Sequence, residues 1–356
     1  MKSALALAER GLGTVAPNPA VGCLIVKNDI VVGRGWTQPG GRPHAETVAL
    51  EQAGAAGKGA TAYVTLEPCS HHGKTPPCAE ALVKAGIARV VIAAGDTDPR
   101  VAGKGLQILQ EAALDVVQGV LEDEAKRQNA GFFLKVGAAR PLFTLKVATT
   151  IDGKIATSAG ESKWITGNAA RTYGHMLRAT HDAILVGVKT VLADDPDLGC
   201  RIAGLSHRSP VRVVLDSNLK TPATAQMLQG PLGADVWLIA NARNKGSTAA
   251  DMLVKAGAKL FFVKGTRDLK SVAAVLAGEG LTRVLVEGGG TIHASFLRSG
   301  LCDQLHSFTA AKVIGSEGIA GVGELSLALL ENAPHLKLVS SRKIGTDLLA
   351  TYRNAE

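Results

Sequence analysis

Short apolar runs, each followed by a turn and a helical pattern, recur through this 356-residue sequence. In the first half the predicted strands are VGCLIV, IVVGRGW, TAYVTL and RVVIAA, and the helical patterns are HAETVALEQAG and PPCAEALVKAG. In the second half, strands are predicted at DAILVGV, VRVVLD, DVWLIA, KLFFV and RVLVEGG. Runs that are apolar throughout are typical of strands covered on both faces of a parallel sheet. The alternation therefore predicts an α/β fold in both halves.

The pattern is interrupted once, near the middle of the chain. A helical segment, EDEAKRQNAGFFLKVG, leads to AARP at residues 138–141, and the strand PLFTLKVAT then restarts the alternation. A chain of this length can bury two separate cores. We predict two domains, residues 1–138 and 139–356.

The charge balance is basic, with 39 Lys and Arg against 31 Asp and Glu and a net charge of +8. A surplus of this kind is a common signal of nucleic-acid binding. Here the basic residues are scattered, and aromatic residues for base stacking make up 4% of the chain. A phosphorylated small substrate and a phosphate-bearing cofactor would use the surplus equally well, so we expect no nucleic-acid partner.

Cysteine usage and apolar patterning indicate a cytoplasmic protein. Glu9 and Arg10 interrupt the first apolar run too early for a signal peptide, and no stretch approaches the roughly 18 apolar residues of a membrane span. The chain has five cysteines, an odd number that favours thiols or metal ligands over a disulfide framework. We expect Cys23, Cys200 and Cys302 to be inert thiols, and we expect no membrane partner.

A metal site is indicated by LEPCSHHGKTPPC at residues 66–78 together with HAE upstream. A catalytic zinc needs three protein ligands and an open position for water. His-x-Glu followed by Pro-Cys and a second cysteine is the zinc deaminase pattern, in which the Glu is not a ligand. We predict that His44, Cys69 and Cys78 hold zinc and that Glu46 takes a proton from water and delivers it to the ring nitrogen and the departing amine.

Other interpretations of this loop are left open by the residues alone. His71 or His72 could complete a closed four-ligand zinc site, although Glu46 would then have no task. The roles of these two histidines stay unassigned. The alternative function is a nucleic-acid or nucleoside zinc deaminase with an accessory binding domain. A third interpretation is a zinc-stabilised interaction protein.

The spacing of the cysteines carries a family resemblance. Eight residues, SHHGKTPP, separate them, whereas nucleic-acid and cytidine deaminases usually have the shorter P-C-x-x-C spacing. With APNPAVGCLIV upstream and GDTDPRVAGKG at 95–105, the loop closely resembles the pyrimidine deaminase of riboflavin biosynthesis. The resemblance covers the second half as well, so the chain is similar to the bifunctional deaminase and reductase of that pathway. Members usually have several more residues before the first helix, which leaves open whether the natural start lies upstream.

The second half contains RVLVEGGGTIHASFLRSG, which is a strand, a glycine turn and a helix. Glycines allow backbone N–H groups to approach a phosphate, and a helix N-terminus favours an anion. The G-x-G-x-x-G fingerprint is absent, so the turn by itself is weak support for a dinucleotide site. The resemblance implies a dihydrofolate-reductase-like domain that binds NADPH, after a cytidine-deaminase-like α/β/α domain that binds one zinc.

The resemblance also implies specific contacts. The implied cofactor residues are Ala148, Trp164, Thr190, Asp194, Ser217, Gly289, Gly290, Thr291, Ile292, His293, Ala294 and Ser295. The implied substrate residues are Asn18, Ser162, Arg178, Leu198, Arg201 and Glu287, with Lys154 as a further candidate. Arginine forks suit the ribose phosphate.

The resemblance implies two reactions on a small phosphoribosyl-pyrimidine. The aminopyrimidine amine is replaced by oxygen at the zinc, and the ribosylamine is then reduced to a ribitylamine by hydride from NADPH. We expect a homo-oligomer, while the sequence does not indicate the number of subunits.

Overall fold

The structure is a computed structural model that describes residues 1–71, 76–98, 102–229 and 235–355. By its internal contacts the chain separates into two units, Met1–Pro141 with Gly280–Thr282 and Leu142–Glu279 with Arg283–Glu356. Each unit is built on a sheet with helices, so the predicted α/β class is confirmed. Among the described helices, none has the length and apolar character needed to cross a bilayer.

The first unit is built on a mixed sheet. Its described strands are β1 Gly22–Lys27, β2 Ile30–Trp36, β3 Thr61–Leu66, β4 Arg89–Ala94 and β5 Asp115–Val117. Their order is β2-β1-β3-β4-β5, with β1 antiparallel to β2 and β3 and with β3, β4 and β5 parallel. β1 and β2 are the predicted strands VGCLIV and IVVGRGW, and they form a hairpin. Asn28 and Asp29 both have positive φ, at 49° and 60°, as the tight turns that match strand twist require.

The helices of the first unit bring both halves of the metal motif toward the sheet. Those described are α1 Lys2–Ala8, α2 Ala45–Ala53, α3 Cys78–Lys84, α4 Lys104–Glu111, α5 Glu122–Gln128 and α6 Ala130–Ala138. The single helical segment predicted for 122–137 is divided at Asn129. The buried Asn129 amide accepts the Ala20 N–H and donates to the Ala20 carbonyl, both at 2.9 Å. This contact with a distant residue fixes the break, and the local sequence carries no signal of it.

The second unit is built on a longer sheet. Its described strands are β6 Leu142–Thr150, β7 Lys154–Ala156, β8 Ala183–Gly187, β9 Val211–Leu215, β10 Val236–Asn241, β11 Ala258–Val263, β12 Arg283–Val286, β13 Gln304–Ala310, β14 Ile319–Ala320, β15 Leu336–Ile344 and β16 Asp347–Asn354. The order is β11-β10-β9-β8-β12-β6-β13-β16-β15, while β14 pairs with β7. The strands from β11 to β13 are parallel, as predicted, and β16 and β15 add an antiparallel edge. The sequence analysis did not predict β15, because most of its residues are exposed and it lacks an apolar run.

Parallel order places the carboxyl ends of several strands at one edge of this sheet, where ligands bind in such folds. The described helices are α7 Asn168–Ala179, α8 Val188–Asp194, α9 Gln226–Gln229, α10 Thr248–Lys255, α11 Leu269–Gly278 and α12 Gly290–Arg298. The central strands are buried, with Leu185, Val214 and Leu285 fully inaccessible. The residues that follow β8, β9, β11 and β12 are thereby held on a rigid frame.

Candidate active sites

Three potential metal ligands meet in the first unit. His44 is the N-cap of α2, Cys78 is the first residue of α3, and Cys69 lies in the loop after β3. Their ligand atoms all lie within 4.8 Å of one another. The backbone N–H of Cys78 donates to the Cys69 sulfur at 3.3 Å, so the first turn of α3 orients one ligand while supplying another. The structure thus brings together the three residues that the sequence predicted as ligands, although they come from three separate segments.

The distances in this cluster fit zinc. His44 Nδ1 is 3.3 Å from Cys78 Sγ and 3.6 Å from Cys69 Sγ. Tetrahedral zinc with its usual bond lengths would separate a nitrogen and a sulfur ligand by about 3.6 Å. A side-chain hydrogen bond from Cys78 is the main cause that lowers the pKa of the Cys69 thiol, to about 4, and the same pairing raises the pKa of the Cys78 thiol. A thiolate is the form that binds metal, so the donor set suits the ion.

Glu46 lies beside the ligands, in the first turn of α2, and is 4% exposed. Burial, with the Cys69 charge as a second cause, raises the pKa of this carboxyl to about 7. A carboxyl with that pKa accepts and releases protons near neutral pH, as general acid and base catalysis requires. The proton-shuttle role of Glu46 stays a prediction, which its burial beside the potential ligands supports.

A cavity of about 210 Å³ opens onto the cluster and is lined by His44, Glu46, Cys69 and Asn18. Gly41, which the sequence analysis did not single out, fixes the place of Asn18. A Cβ on Gly41 would lie 1.9 Å from Asn18 Nδ2, and the residue has a φ of +83°. Glycine meets both demands, so the amide of Asn18 packs against bare backbone.

Three further carboxylates line this metal-side cavity, namely Glu67, Asp96 and Asp98. Glu67 is buried and accepts N–H groups from Asp96 at 3.3 Å, from Gly103 at 3.1 Å and from Gly105 at 3.0 Å. It therefore ties the segment after β4 to the loop that carries Cys69. The sequence analysis missed these residues because the contacts join segments about 30 or more positions apart.

His71 also lines the cavity, but it is not part of the cluster of potential ligands found among the described residues. Its Nδ1 is buried without a hydrogen-bond partner in that part of the chain. The structure therefore does not support His71 as a fourth ligand. His72, the other histidine considered, lies outside the described residues.

In the second unit, Glu287 follows β12 and forms a two-pronged ion pair with Arg178 of α7. Arg178 Nε donates to Glu287 Oε1 at 2.8 Å and Arg178 Nη2 to Oε2 at 3.1 Å. Lys146 on β6 lies 3.7 Å from the same carboxylate. Burial alone would raise the pKa of Glu287, but the two cations outweigh it and hold the pKa at about 2. Lys146 was missed by the sequence analysis because its face of the strand becomes known only from the sheet.

The ion pair is connected to the loop that carries two predicted substrate residues. Arg178 Nη1 donates to the Gly199 carbonyl at 3.0 Å, between buried Leu198 and exposed Arg201. The Arg201 N–H donates to His175 Nδ1 at 3.3 Å. Burial, with Arg178 and Arg201 as further causes, lowers the pKa of His175 to about 4, so this ring stays a neutral acceptor. Because Arg178 already bonds to protein groups, Arg201 is the freer guanidinium of the predicted pair.

A larger cavity, of about 620 Å³, lies at the carboxyl ends of β8, β9 and β11, and we call it the strand-end cavity. Several predicted cofactor residues line it, namely Thr190, Ser217, Gly289, Thr291, Ile292 and Ser295. Gly289 is the N-cap of α12, and a Cβ built on it would meet no atom within 4 Å. The cavity therefore offers open backbone at a helix N-terminus, which fits a cofactor diphosphate.

The flanking glycines of the turn are needed for packing. A Cβ on Gly288 would lie 2.6 Å from Ile292 Cβ, and one on Gly290 would lie 2.5 Å from the Ala320 carbonyl. His293 is buried with its Nδ1 2.9 Å from the Gly321 carbonyl, and Ala294 is buried too. The side chains of these two predicted cofactor residues do not line the strand-end cavity, so they support the turn from behind.

The other predicted residues of this unit are exposed or half-buried. Trp164 is 57% exposed, with the Arg171 guanidinium 4.6 Å from its ring, and Asp194 is the exposed last residue of α8. Lys154 donates to the Ser316 carbonyl at 3.3 Å. Ala148 on β6 and Ser162 before Trp164 are both half-buried. The strand-end cavity does not include these residues.

Taken together, the two units define a class of protein, a zinc-dependent deaminase joined to a nucleotide-dependent reductase. Residues 1–94 match the model of the cytidine and deoxycytidylate deaminase zinc-binding region, and residues 141–350 match that of the RibD C-terminal domain. The chain belongs to the RibD family of riboflavin biosynthesis proteins and is a bifunctional deaminase and reductase whose cofactors are zinc and NADPH.

Similar proteins span the whole chain. The riboflavin biosynthesis protein RibD of Bacillus amyloliquefaciens is 42% identical, over 99% of this chain and 94% of its own. RibD of Acinetobacter baumannii, in its form 1 structure, has a TM-score of 0.89 at 38% identity and covers 100% of this chain and 98% of its own. The diaminohydroxyphosphoribosylaminopyrimidine deaminase/5-amino-6-(5-phosphoribosylamino)uracil reductase of Thermotoga maritima has a TM-score of 0.87 at 34% identity, covering 100% and 97%. These matches favour the riboflavin enzyme over the nucleic-acid deaminase alternative.

Proposed function

We propose that the chain carries out two consecutive reactions on one phosphoribosyl-pyrimidine. The first is hydrolysis of 2,5-diamino-6-(5-phosphoribosylamino)pyrimidin-4(3H)-one to 5-amino-6-(5-phosphoribosylamino)uracil and ammonia, by residues 1–138. The second is NADPH-dependent reduction of the ribosyl group to ribityl, by residues 139–356. The observation that carries the proposal is the placement of Glu46 beside a cluster of one histidine and two cysteines with zinc-like spacing.

In the deaminase site, His44, Cys69 and Cys78 would hold zinc, which supplies Lewis acidity that makes water a nucleophile near neutral pH. Glu46 accepts one proton of the attacking water and delivers it to the ring nitrogen. It then accepts the remaining proton of the added hydroxyl and passes it to the amine, which leaves as ammonia while the oxygen becomes the carbonyl. Burial raises the pKa of the Glu46 carboxyl, which suits a group that takes up and releases protons. Asn18, at the cavity wall, orients the pyrimidine through its amide.

In the reductase site, NADPH would supply the hydride that the ring-opened C1 of the ribose accepts. The strand-end cavity would hold the cofactor, with its diphosphate at Gly289 and the first turn of α12. Glu287 would accept hydrogen bonds from the substrate while Arg178 and Lys146 keep it ionised. Arg201, exposed on the neighbouring loop, would bind the substrate phosphate, and Lys154 would contact the ribose.

We also propose that the protein acts in the cytoplasm and as a homo-oligomer. All five cysteines are free thiols, as expected in a reducing compartment.

Strand β15 ends the larger sheet, and its Leu338 and Val339 are 53% and 55% exposed. An exposed edge strand with apolar side chains is suited to pairing with another chain. Light scattering should therefore find an oligomer that Leu338→Lys dissociates, whereas a monomeric wild type would refute the proposal.

The function is tested by measuring ammonia release and NADPH oxidation with the purified, zinc-loaded protein and the diaminopyrimidine substrate. Wild type should release ammonia and then oxidise NADPH. Glu46→Gln should lose ammonia release by 10²–10⁴-fold and keep its zinc, yet still reduce the deaminated compound. Glu51→Gln, an exposed carboxylate on the same helix, is the matched control and should behave as wild type. Ammonia release by Glu46→Gln at the wild-type rate would refute the assignment.

A further inference from the structure

The strand-end cavity has a charge pattern that its proposed cofactor explains only in part. Its described lining contains the cations Lys189, Arg267 and Arg298 and no carboxylate. A diphosphate at the N-terminus of α12 would engage one end of the cavity. A second anionic group is needed to account for cations that lie away from that end.

The sheet order gives the direction in which a dinucleotide would lie. The nicotinamide must face the substrate site, which is next to Glu287 after β12 and Lys146 on β6. The diphosphate at Gly289 would then be central, and the adenosine half would extend across β8 toward β9. Strand β9 is two strand spacings from β12, roughly 10 Å. The adenosine ribose would therefore lie near Ser217, directly beyond the end of β9.

Two hydroxyl groups and a guanidinium meet at that end. The hydroxyls of Ser217 and Thr266 form a short hydrogen bond with each other, and the Thr266 N–H donates to Asn241 Oδ1 at 3.1 Å. Arg267 follows Thr266 and lines the same cavity. Within the described residues, the Arg267 side chain has no hydrogen bond or ion pair.

The neighbouring carboxylates do not compete for Arg267. Asp216 accepts the Thr221 N–H at 2.7 Å and the Thr221 hydroxyl at 2.8 Å. Asp268 caps α11 and accepts the Ser271 N–H at 3.3 Å. Both acidic neighbours are thus held by their own local structure, and a cation is left facing the cavity beside two hydroxyl groups.

We propose that Arg267, with Ser217 and Thr266, binds the 2′-phosphate of NADPH and makes the reductase selective for NADPH over NADH. The inference rests on the proposed function, which puts NADPH in this cavity. A guanidinium binds phosphate through two parallel N–H bonds, and an arginine near the adenosine ribose is a general device for 2′-phosphate recognition. Arg298 is less suited because its Nη1 already donates to the Glu324 carbonyl at 3.0 Å.

Calorimetric titration of the full-length protein with adenosine 2′,5′-bisphosphate and with adenosine 5′-monophosphate tests this without turnover. Wild type should prefer the bisphosphate by about 10- to 100-fold, the range for charge-assisted hydrogen bonds. Arg267→Gln should reduce that preference to about threefold or less and leave monophosphate affinity unchanged within about threefold. Arg267→Lys should retain an intermediate preference.

Arg243→Gln is the matched control, because Arg243 lies on the same edge, donates to Asn218 Oδ1 at 2.6 Å and does not line the cavity. It should keep the wild-type preference, and an equal loss would mean that general positive charge is responsible. A full preference in folded Arg267→Gln, or a loss confined to Arg298→Gln or Lys189→Gln, would overturn the proposal. If wild type binds NADP⁺ and NAD⁺ equally, the Arg267 role alone fails. If it binds neither, the cavity assignment in the proposed function fails as well.

Discussion

Arg178 and Glu287 form a bidentate ion pair, with Nε donating to Oε1 at 2.8 Å and Nη2 donating to Oε2 at 3.1 Å. The remaining Arg178 nitrogen, Nη1, donates to the Gly199 carbonyl at 3.0 Å. One guanidinium thereby joins α7, the end of β12 and the loop that carries Arg201. The pair holds Glu287 ionised at the end of a buried strand, where burial would otherwise favour its neutral form. Arg178, one of the two arginines implied as substrate contacts, is thus a structural tie within the reductase unit, while Arg201 is left to bind the phosphate.

Arg178→Lys should reduce kcat/KM for NADPH oxidation with the deaminated substrate by about 10- to 100-fold. Lysine keeps the charge but cannot reproduce the two-pronged geometry, and charge-assisted hydrogen bonds contribute about 1.5–3 kcal/mol. Steady-state kinetics measures the effect. Ammonia release by the same protein is the internal control and should be unchanged. Equal loss of both activities would indicate general misfolding instead.

Acidification should destabilise the reductase unit through His306. This ring lies on β13 opposite Thr351 of β16, and burial, with Arg283 and Arg342 as further causes, lowers its pKa to about 4. The unfolded pKa is about 6.5, so the stabilisation is complete above that value and is lost as the pH falls toward 4. At pH 5 this histidine alone should cost about 2 kcal/mol.

Urea titrations at pH 5 and pH 7, with tryptophan fluorescence as the signal, measure this loss. His306→Gln should lose less stability than wild type between the two pH values. His181 is also buried with a lowered pKa, so the variant should retain part of the pH dependence. Identical losses in both proteins would exclude His306 as a contributor.

The two sites differ in how far the sequence could predict them. His44, Cys69 and Cys78 are recognisable because zinc needs particular residue types and the loops supply them at characteristic spacings. Lys146 and Arg267 carry no such local signal. A lysine in a strand and an arginine in a loop acquire a role only when the sheet order brings them to a ligand.

The same physical reason explains the successes and failures in the fold. The central strands were predictable because burial on both faces demands continuous apolar runs, as in β8 and β12. Strand β15 was missed because an exposed edge makes no such demand. The break at Asn129 was missed because its cause is a pair of hydrogen bonds to Ala20, 109 positions away.

Gly41→Ala should raise the KM of the deaminase about tenfold or more while NADPH oxidation with the deaminated substrate stays unchanged. The new Cβ would collide with the Asn18 amide at 1.9 Å and displace a substrate-facing group, whose hydrogen bonds contribute about 1 kcal/mol each. Gly40→Ala is the control. Gly40 has a similar φ, +74°, but no atom within 4 Å of its Cβ, so it reports backbone strain alone. Equal effects of the two substitutions would rule out the Asn18 contact.

Glu67→Gln should destabilise the deaminase unit by about 1–3 kcal/mol and lower ammonia release without loss of zinc. The carboxylate accepts N–H groups from Asp96, Gly103 and Gly105, and a Gln amide turns an NH₂ group toward some of these donors. The Asp96 segment lines the metal-side cavity, so its loosening should act on substrate KM before it acts on the metal. Thermal unfolding, zinc content and kinetics are measured together. Glu111→Gln, an exposed carboxylate on α4, is the matched control and should change none of them. Loss of zinc from Glu67→Gln would contradict this account, because it would mean that Glu67 is needed to hold the metal ligands themselves.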